Sequence, residues 1–84
     1  MEKYRVEVKV ELKKGVRDPE GENTKKALAL LGFNAIESVR SQRIYELMVT
    51  AETKEKALAI AEESCRKLLA NPVIHNYKIS VKEQ

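Results

Sequence analysis

The stretch YRVEVKVELK, residues 4–13, alternates without a break. Tyr4, Val6, Val8, Val10 and Leu12 fall on one side, and Arg5, Glu7, Lys9, Glu11 and Lys13 on the other. A period of two cannot be reconciled with the 3.6-residue repeat of a helix, so the segment is a strand with one buried and one solvated face. A sheet with one apolar face needs a second layer to cover it. The remaining residues have to supply that layer.

KKGVRDPEGEN, residues 13–23, reads as the approach to a helix. Asp18 is placed to cap, Pro19 suits the first helical position, and Glu20 and Glu22 favour the positive end of the helix dipole. Gly21 within that first turn weakens a helix and leaves room for another backbone or a partner to come close. Thr24, Ala27, Leu28 and Leu31 then recur at helical spacing, and Gly32 is positioned to stop the helix. A second β region is expected over residues 35–51, a hairpin with RSQR (residues 40–43) at its tip. Val39 on its first strand and Tyr45, Leu47 and Val49 on its second suit the inward face.

Thr53 can cap a second helix with Ala57, Leu58, Ala61, Cys65, Leu68 and Leu69 as its apolar stripe. Glu62/Arg66 and Glu63/Lys67 are favourable i,i+4 pairs on its solvent side. Asn71-Pro72 ends it, because the residue before proline is pushed away from helical geometry. A last strand starts near Val73, with Tyr77, Ile79 and Val81 on one face and Lys78, Ser80 and Lys82 on the other. The order is βαββαβ in a single domain, residues 1–84. Right-handed crossovers then predict an α+β, ferredoxin-like arrangement, with two helices on one face of a four-stranded antiparallel sheet. The other face carries the charged row of the first strand with Ile44, Met48 and Ile74 among it, a plausible contact between subunits.

The chain has 84 residues, and a chain near this size buries roughly 60–65% of its unfolded surface. One compact core is therefore expected to use nearly all the apolar side chains, with little left for a deep pocket. The 16 basic and 13 acidic residues are interleaved, without the clustered basic footprint that nucleic-acid binding leaves. No nucleic acid is expected as a partner. No run approaches the ~18–20 apolar residues that span a membrane, and the N-terminus goes straight into a strand pattern, so a cytoplasmic protein is expected. A single cysteine allows neither an internal disulfide nor a multi-cysteine metal site.

Cys65, His75 and Asn71 are the residue types of a papain-like site, but Cys65 sits on the apolar stripe, where its thiolate is disfavoured. Asp18, Glu20 and Glu22 cluster where capping and the helix dipole explain them, so no metal is assigned. Arg17 occupies the first strand-to-helix loop, as the phosphate-binding arginine of acylphosphatases does, yet the surrounding glycine-rich pattern is missing. RNA-recognition domains of this topology show aromatics on the open face, whereas Tyr4 and Tyr45 are expected to face the core. Arg40 and Arg43 flank the hairpin tip and can grip an acidic partner or phosphate. These residues describe a module that binds or assembles and has no catalytic apparatus of its own.

Three stretches resemble the PurS subunit family of phosphoribosylformylglycinamidine synthase. In LKKGVRDPEG these are Leu12, Lys13, Gly15, Val16, Asp18, Pro19 and Gly21; in VRSQRIYEL, Val39, Arg40, Glu46 and Leu47. In CRKLLANPVIHNY they are Cys65, Leu68, Leu69, Asn71, Pro72, Val73, Ile74 and Tyr77. The family hairpin commonly reads Val-Arg-x-Gly-Lys; here Gln42 stands for the glycine and Arg43 for the lysine, which keeps the charge and alters the donor geometry.

The resemblance implies a non-catalytic subunit that brings a PurQ-like glutaminase and a PurL-like synthetase together and helps ammonia pass between them. ATP, magnesium and glutamine would be used by those partners, with no cofactor bound by this chain. It also implies a homodimer or higher homo-oligomer. Ile44, Met48 and Ile74 would serve that association, leaving Asp18, Pro19, Gly21, Arg40 and Arg43 for the larger subunits. The alternative is a regulatory module of the ACT type, which shares the topology, pairs through sheets and binds a small molecule between subunits.

Overall fold

The structure is a computed structural model that describes residues 1–82. Among them, three strands form one antiparallel sheet in the order β2-β1-β3: β1 (Glu2–Leu12), β2 (Gln42–Ala51) and β3 (His75–Lys82). Val8 lies opposite Tyr45 on one side and Ile79 on the other, and Val6 opposite Leu47 and Val81. Because side chains alternate along each strand, this register gathers the apolar rows of all three strands on one face.

Helix α2 (Lys54–Ser64) covers that face. Thr53 caps it, its hydroxyl accepting from the Lys56 N–H at 3.1 Å. Ala57, Ala61 and Cys65 are buried against Val6, Val8, Val10, Val49 and Ala51. The small helix residues let α2 lie close to the sheet, and each fully buried valine contributes about 1.5–3 kcal/mol. The Tyr77 hydroxyl donates to Glu62 at 2.7 Å and ties β3 to α2. Glu62 is thus taken from the expected pair with Arg66, while Lys67 and Glu63 do pair, at 2.9 Å.

One π turn, Cys65–Leu69, follows α2. The Ala70 N–H reaches the Cys65 carbonyl at 3.0 Å, one residue further back than in an α-helix. The extra residue rotates everything after Cys65. Ala70 is buried, Leu69 half-buried, and Leu68, expected in the apolar stripe, is 84% exposed.

Helix α1 (Pro19–Leu30) begins at the Asp18 cap and stops at Gly32, whose φ of +98° suits glycine. The expectation that both helices cover the sheet is not met. Gly21 is the only buried residue of α1. Leu30, Leu31 and Phe33 are 89%, 73% and 56% exposed. The single core therefore takes up far fewer apolar side chains than composition leads one to expect. After Gly32 the Phe33 N–H bonds back to the Leu28 carbonyl, and the chain returns to the start of α1. Helix and returning segment make an arm. The radius of gyration is 16.5 Å, where a compact chain of this length has about 12 Å.

The fourth strand, expected within residues 35–51 ahead of RSQR, does not form. The segment 36–41 has no ladder partner among the described residues, and β2 begins at Gln42, opposite Glu11. RSQR is not a hairpin tip: Arg40 and Ser41 lead into β2, and Gln42 and Arg43 lie within it. The physical reason is that the start of α1 holds this segment. The Val39 carbonyl packs against Gly21, and Ser41 is hydrogen-bonded to Asp18.

Candidate interaction surfaces

The base of the arm is a polar clamp. One Asp18 carboxylate oxygen accepts from the Gly21 N–H at 2.9 Å and the Ser41 hydroxyl at 2.8 Å; the other accepts from the Ser41 N–H at 2.7 Å. The Ser41 N–H, the Gly21 N–H and the Ser41 hydroxyl together hold the Asp18 carboxyl below its ordinary range, with the Arg40 charge assisting. A Cβ on Gly21 would overlap the Val39 carbonyl oxygen, which explains a glycine in the first turn of a helix. Pro19 is exposed beside it.

Arg40 belongs to the same clamp. Its guanidinium donates to the Leu12 carbonyl at the end of β1, at 2.9 Å. Arg17 is engaged by Glu22 at 3.1 Å. Asp18, Gly21 and Arg40, picked out from sequence, are thus brought together. Ser41, which completes the clamp, carried no local signal, because its partner lies on a different element. Arg43, inside β2 opposite Val10 and exposed, makes no bond of the clamp but lines the groove next to Asp18 and Ser41.

Beside the clamp the inner face of the sheet continues into an open groove of about 560 Å³. Val10, Leu12, Tyr45 and Pro19 provide apolar walls, Arg43 and His75 polar ones, and no residue of α2 reaches it. On the opposite face, Ile44 and Met48 are 62% and 57% exposed, across from Lys9 and Arg5. Ile74 is separate from that pair, half-buried in the turn before β3, with its carbonyl accepting from the Lys13 N–H at 2.8 Å.

Cys65, His75 and Asn71 make no catalytic constellation. Burial pushes the Cys65 thiol up, and Glu62 adds to the shift. His75 Nδ1 accepts from the Asn71 N–H at 2.9 Å, while the Asn71 side chain accepts from the Val73 N–H at 3.0 Å. The two residues fix the turn between the π turn and β3. Among the described residues no cluster of three or more His, Cys, Asp or Glu could hold a metal ion, and no helix is long and apolar enough to cross a membrane.

Comparison with known proteins gives one family. Residues 5–83 match PurS, phosphoribosylformylglycinamidine (FGAM) synthase. A PurS subunit from Methanocaldococcus jannaschii is 44% identical over 80 residues, 95% of this chain and 96% of the relative. One from Archaeoglobus fulgidus is 47% identical over 77 residues, 92% of this chain and 96% of the relative. The crystal structure of the M. jannaschii protein superposes with a TM-score of 0.84 at 43% identity, covering 96% of this chain and 98% of that one. A chain of the PurLQS structure from Thermotoga maritima does so with a TM-score of 0.87 at 32% identity, covering 98% and 100%. By sequence and by fold, this chain belongs to the PurS family of phosphoribosylformylglycinamidine synthase subunits.

Proposed function

We propose that this chain is the small, non-catalytic subunit of a glutamine- and ATP-dependent phosphoribosylformylglycinamidine synthase in purine biosynthesis. The observation that carries the reading is the likeness, over almost the whole chain, to a chain of the PurLQS structure from T. maritima. The subunit bridges a PurQ-like glutaminase and a PurL-like synthetase and supports the passage of ammonia from one to the other. Such a connector gains from rigid, charged surfaces and needs no reacting group of its own. ATP, magnesium and glutamine are used by the partner subunits, and this chain binds none of them. The complex works in the cytoplasm.

The clamp region, Asp18, Pro19, Gly21 and Arg40, together with Arg43, meets the larger subunits. Ile44, Met48 and Ile74 contribute to association between copies of this chain. Arg40 and Arg43 are exposed cations at one end of β2 and suit an acidic partner surface. Reversing both to glutamate and measuring co-elution with the PurL-like and PurQ-like subunits tests the assignment. Weakened complex formation by a folded double variant supports it; complex formation equal to wild type contradicts it.

A further inference from the structure

We infer that the side of α1 bearing Lys25 and Lys26, together with Arg17, is a docking surface for a cluster of carboxylates on one of the larger subunits. The inference rests on the reading of the chain as a bridging subunit and adds a contact that neither the clamp nor β2 provides.

Glu22, Lys25, Lys26 and Ala29 stand at i, i+3, i+4 and i+7 and so share one face of the helix. With Arg17, from the loop before α1, they line a depression of about 440 Å³ that shares no residue with the groove beside the clamp. Three cations and one carboxylate leave it a charge of +2, on a chain whose net charge is +3.

This excess is built into the local structure. Along α2 and its π turn, two lysines are met by a glutamate one turn earlier: Lys56 pairs with Glu52 at 3.0 Å and Lys67 with Glu63 at 2.9 Å. On α1 that arrangement is denied to both lysines. Glu22 stands four residues before Lys26, but Arg17 takes its carboxylate, at 3.1 Å. Four residues before Lys25 stands Gly21, where the Val39 carbonyl leaves no room for a side chain. Among the described residues neither lysine has an ion pair. Arg17 reaches Glu22 through Nε, so its terminal NH2 groups take no part in that pair.

Like charges held together in this way repel one another, and an apposed cluster of carboxylates relieves the repulsion. The depression suits a protein surface rather than a small anion. It is open, every residue that lines it is exposed, Arg17 to 79% of its side chain, and no buried donor closes on a ligand. Three cations along two helical turns fall short of the basic stripe that nucleic acid requires. The arm also holds this face clear of the sheet, since Gly21 is the only buried residue of α1, so a broad partner surface can reach it. Charges at exposed positions act chiefly on the rate of encounter, by steering the partner, and that action is screened by salt.

Association kinetics of the full chain with the PurL-like and PurQ-like subunits, followed by surface plasmon resonance across a range of salt concentrations, test this. Lys25→Glu/Lys26→Glu is expected to lower the association rate constant about 10-fold or more at low salt and to flatten its salt dependence. Both positions are exposed, so the variant should melt as wild type does. Lys54→Glu/Lys67→Glu, on exposed sites of α2 and its π turn, changes the net charge equally and should stay within about 2-fold of the wild-type rate. If the α1 variant associates at the wild-type rate with the wild-type salt dependence, or if the α2 variant is slowed as much, the docking surface is overturned while the bridging reading stands. If wild type binds neither larger subunit, the bridging reading is overturned and the docking surface with it.

Discussion

The Asp18 carboxylate accepts both the backbone N–H and the hydroxyl of Ser41, at 2.7 and 2.8 Å, from a residue 23 positions along the chain. The same group caps α1 through the Gly21 N–H. One side chain thus sets the start of the helix and fastens it to the lead-in of β2. The arm carries few buried contacts of its own, so its direction depends on this clamp.

A pH dependence follows from these bonds. They favour the ionised carboxylate, so its pKa in the folded protein lies below the ordinary value of 3.8. A depressed pKa gives stability that is fully present above the unfolded value and lost as pH falls through the folded one. Wild type should therefore exceed Asp18→Asn in melting temperature by a constant margin at neutral pH. That margin should shrink only below about pH 4. A margin that grows on acidification would contradict the assignment.

Gly21→Ala should destabilise the fold, although alanine in a helix is ordinarily worth about 0.5–1 kcal/mol over glycine. The added methyl would meet the Val39 carbonyl and Asp18, which cannot both retreat without opening the clamp. Overpacking of this kind costs about 1–3 kcal/mol. Denaturant unfolding measures it, and a stabilised variant would show that Val39 does not lie against the helix.

The π turn separates two residues that a helical stripe would treat alike. Leu68→Lys should change stability by no more than about 0.5 kcal/mol, as at an ordinary surface site. Cys65→Ser should cost about 1–3 kcal/mol, because it places a hydroxyl among Val6, Val8 and Ala61. Thermal melts of the two variants compare them directly. Equal losses would mean that the helix continues in α register past Cys65.

Local patterns in the sequence matched the structure where the determining contacts are local. The alternation of β1 and β3 and the caps at Asp18 and Thr53 depend on neighbours in sequence, and all are found. So is the exposure of Ile44 and Met48, which follows from their parity in β2. The missing fourth strand was not legible, because what holds Val39 and Ser41 is the start of α1, a contact that periodicity cannot express. The exposure of α1 is not legible in the sequence for a related reason. An apolar stripe says that a helix face seeks cover, not which surface supplies it. Leu68 leaves the expected stripe through a single inserted residue, the smallest departure that rotates a stripe away from the core. Of the residues expected to form a candidate site, Asp18, Gly21 and Arg40 converge at the clamp and Pro19 and Arg43 line the groove beside it, whereas Ile74 lies elsewhere.

The coupling role is tested most directly by reconstitution. The PurL-like and PurQ-like subunits from the same source are combined with glutamine, ATP, magnesium and formylglycinamide ribonucleotide, with and without this chain. Glutamine-dependent turnover should appear only when the chain is present, while ammonia-dependent turnover by the PurL-like subunit should persist without it. Equal glutamine-dependent turnover in both mixtures would contradict a role in joining the two activities.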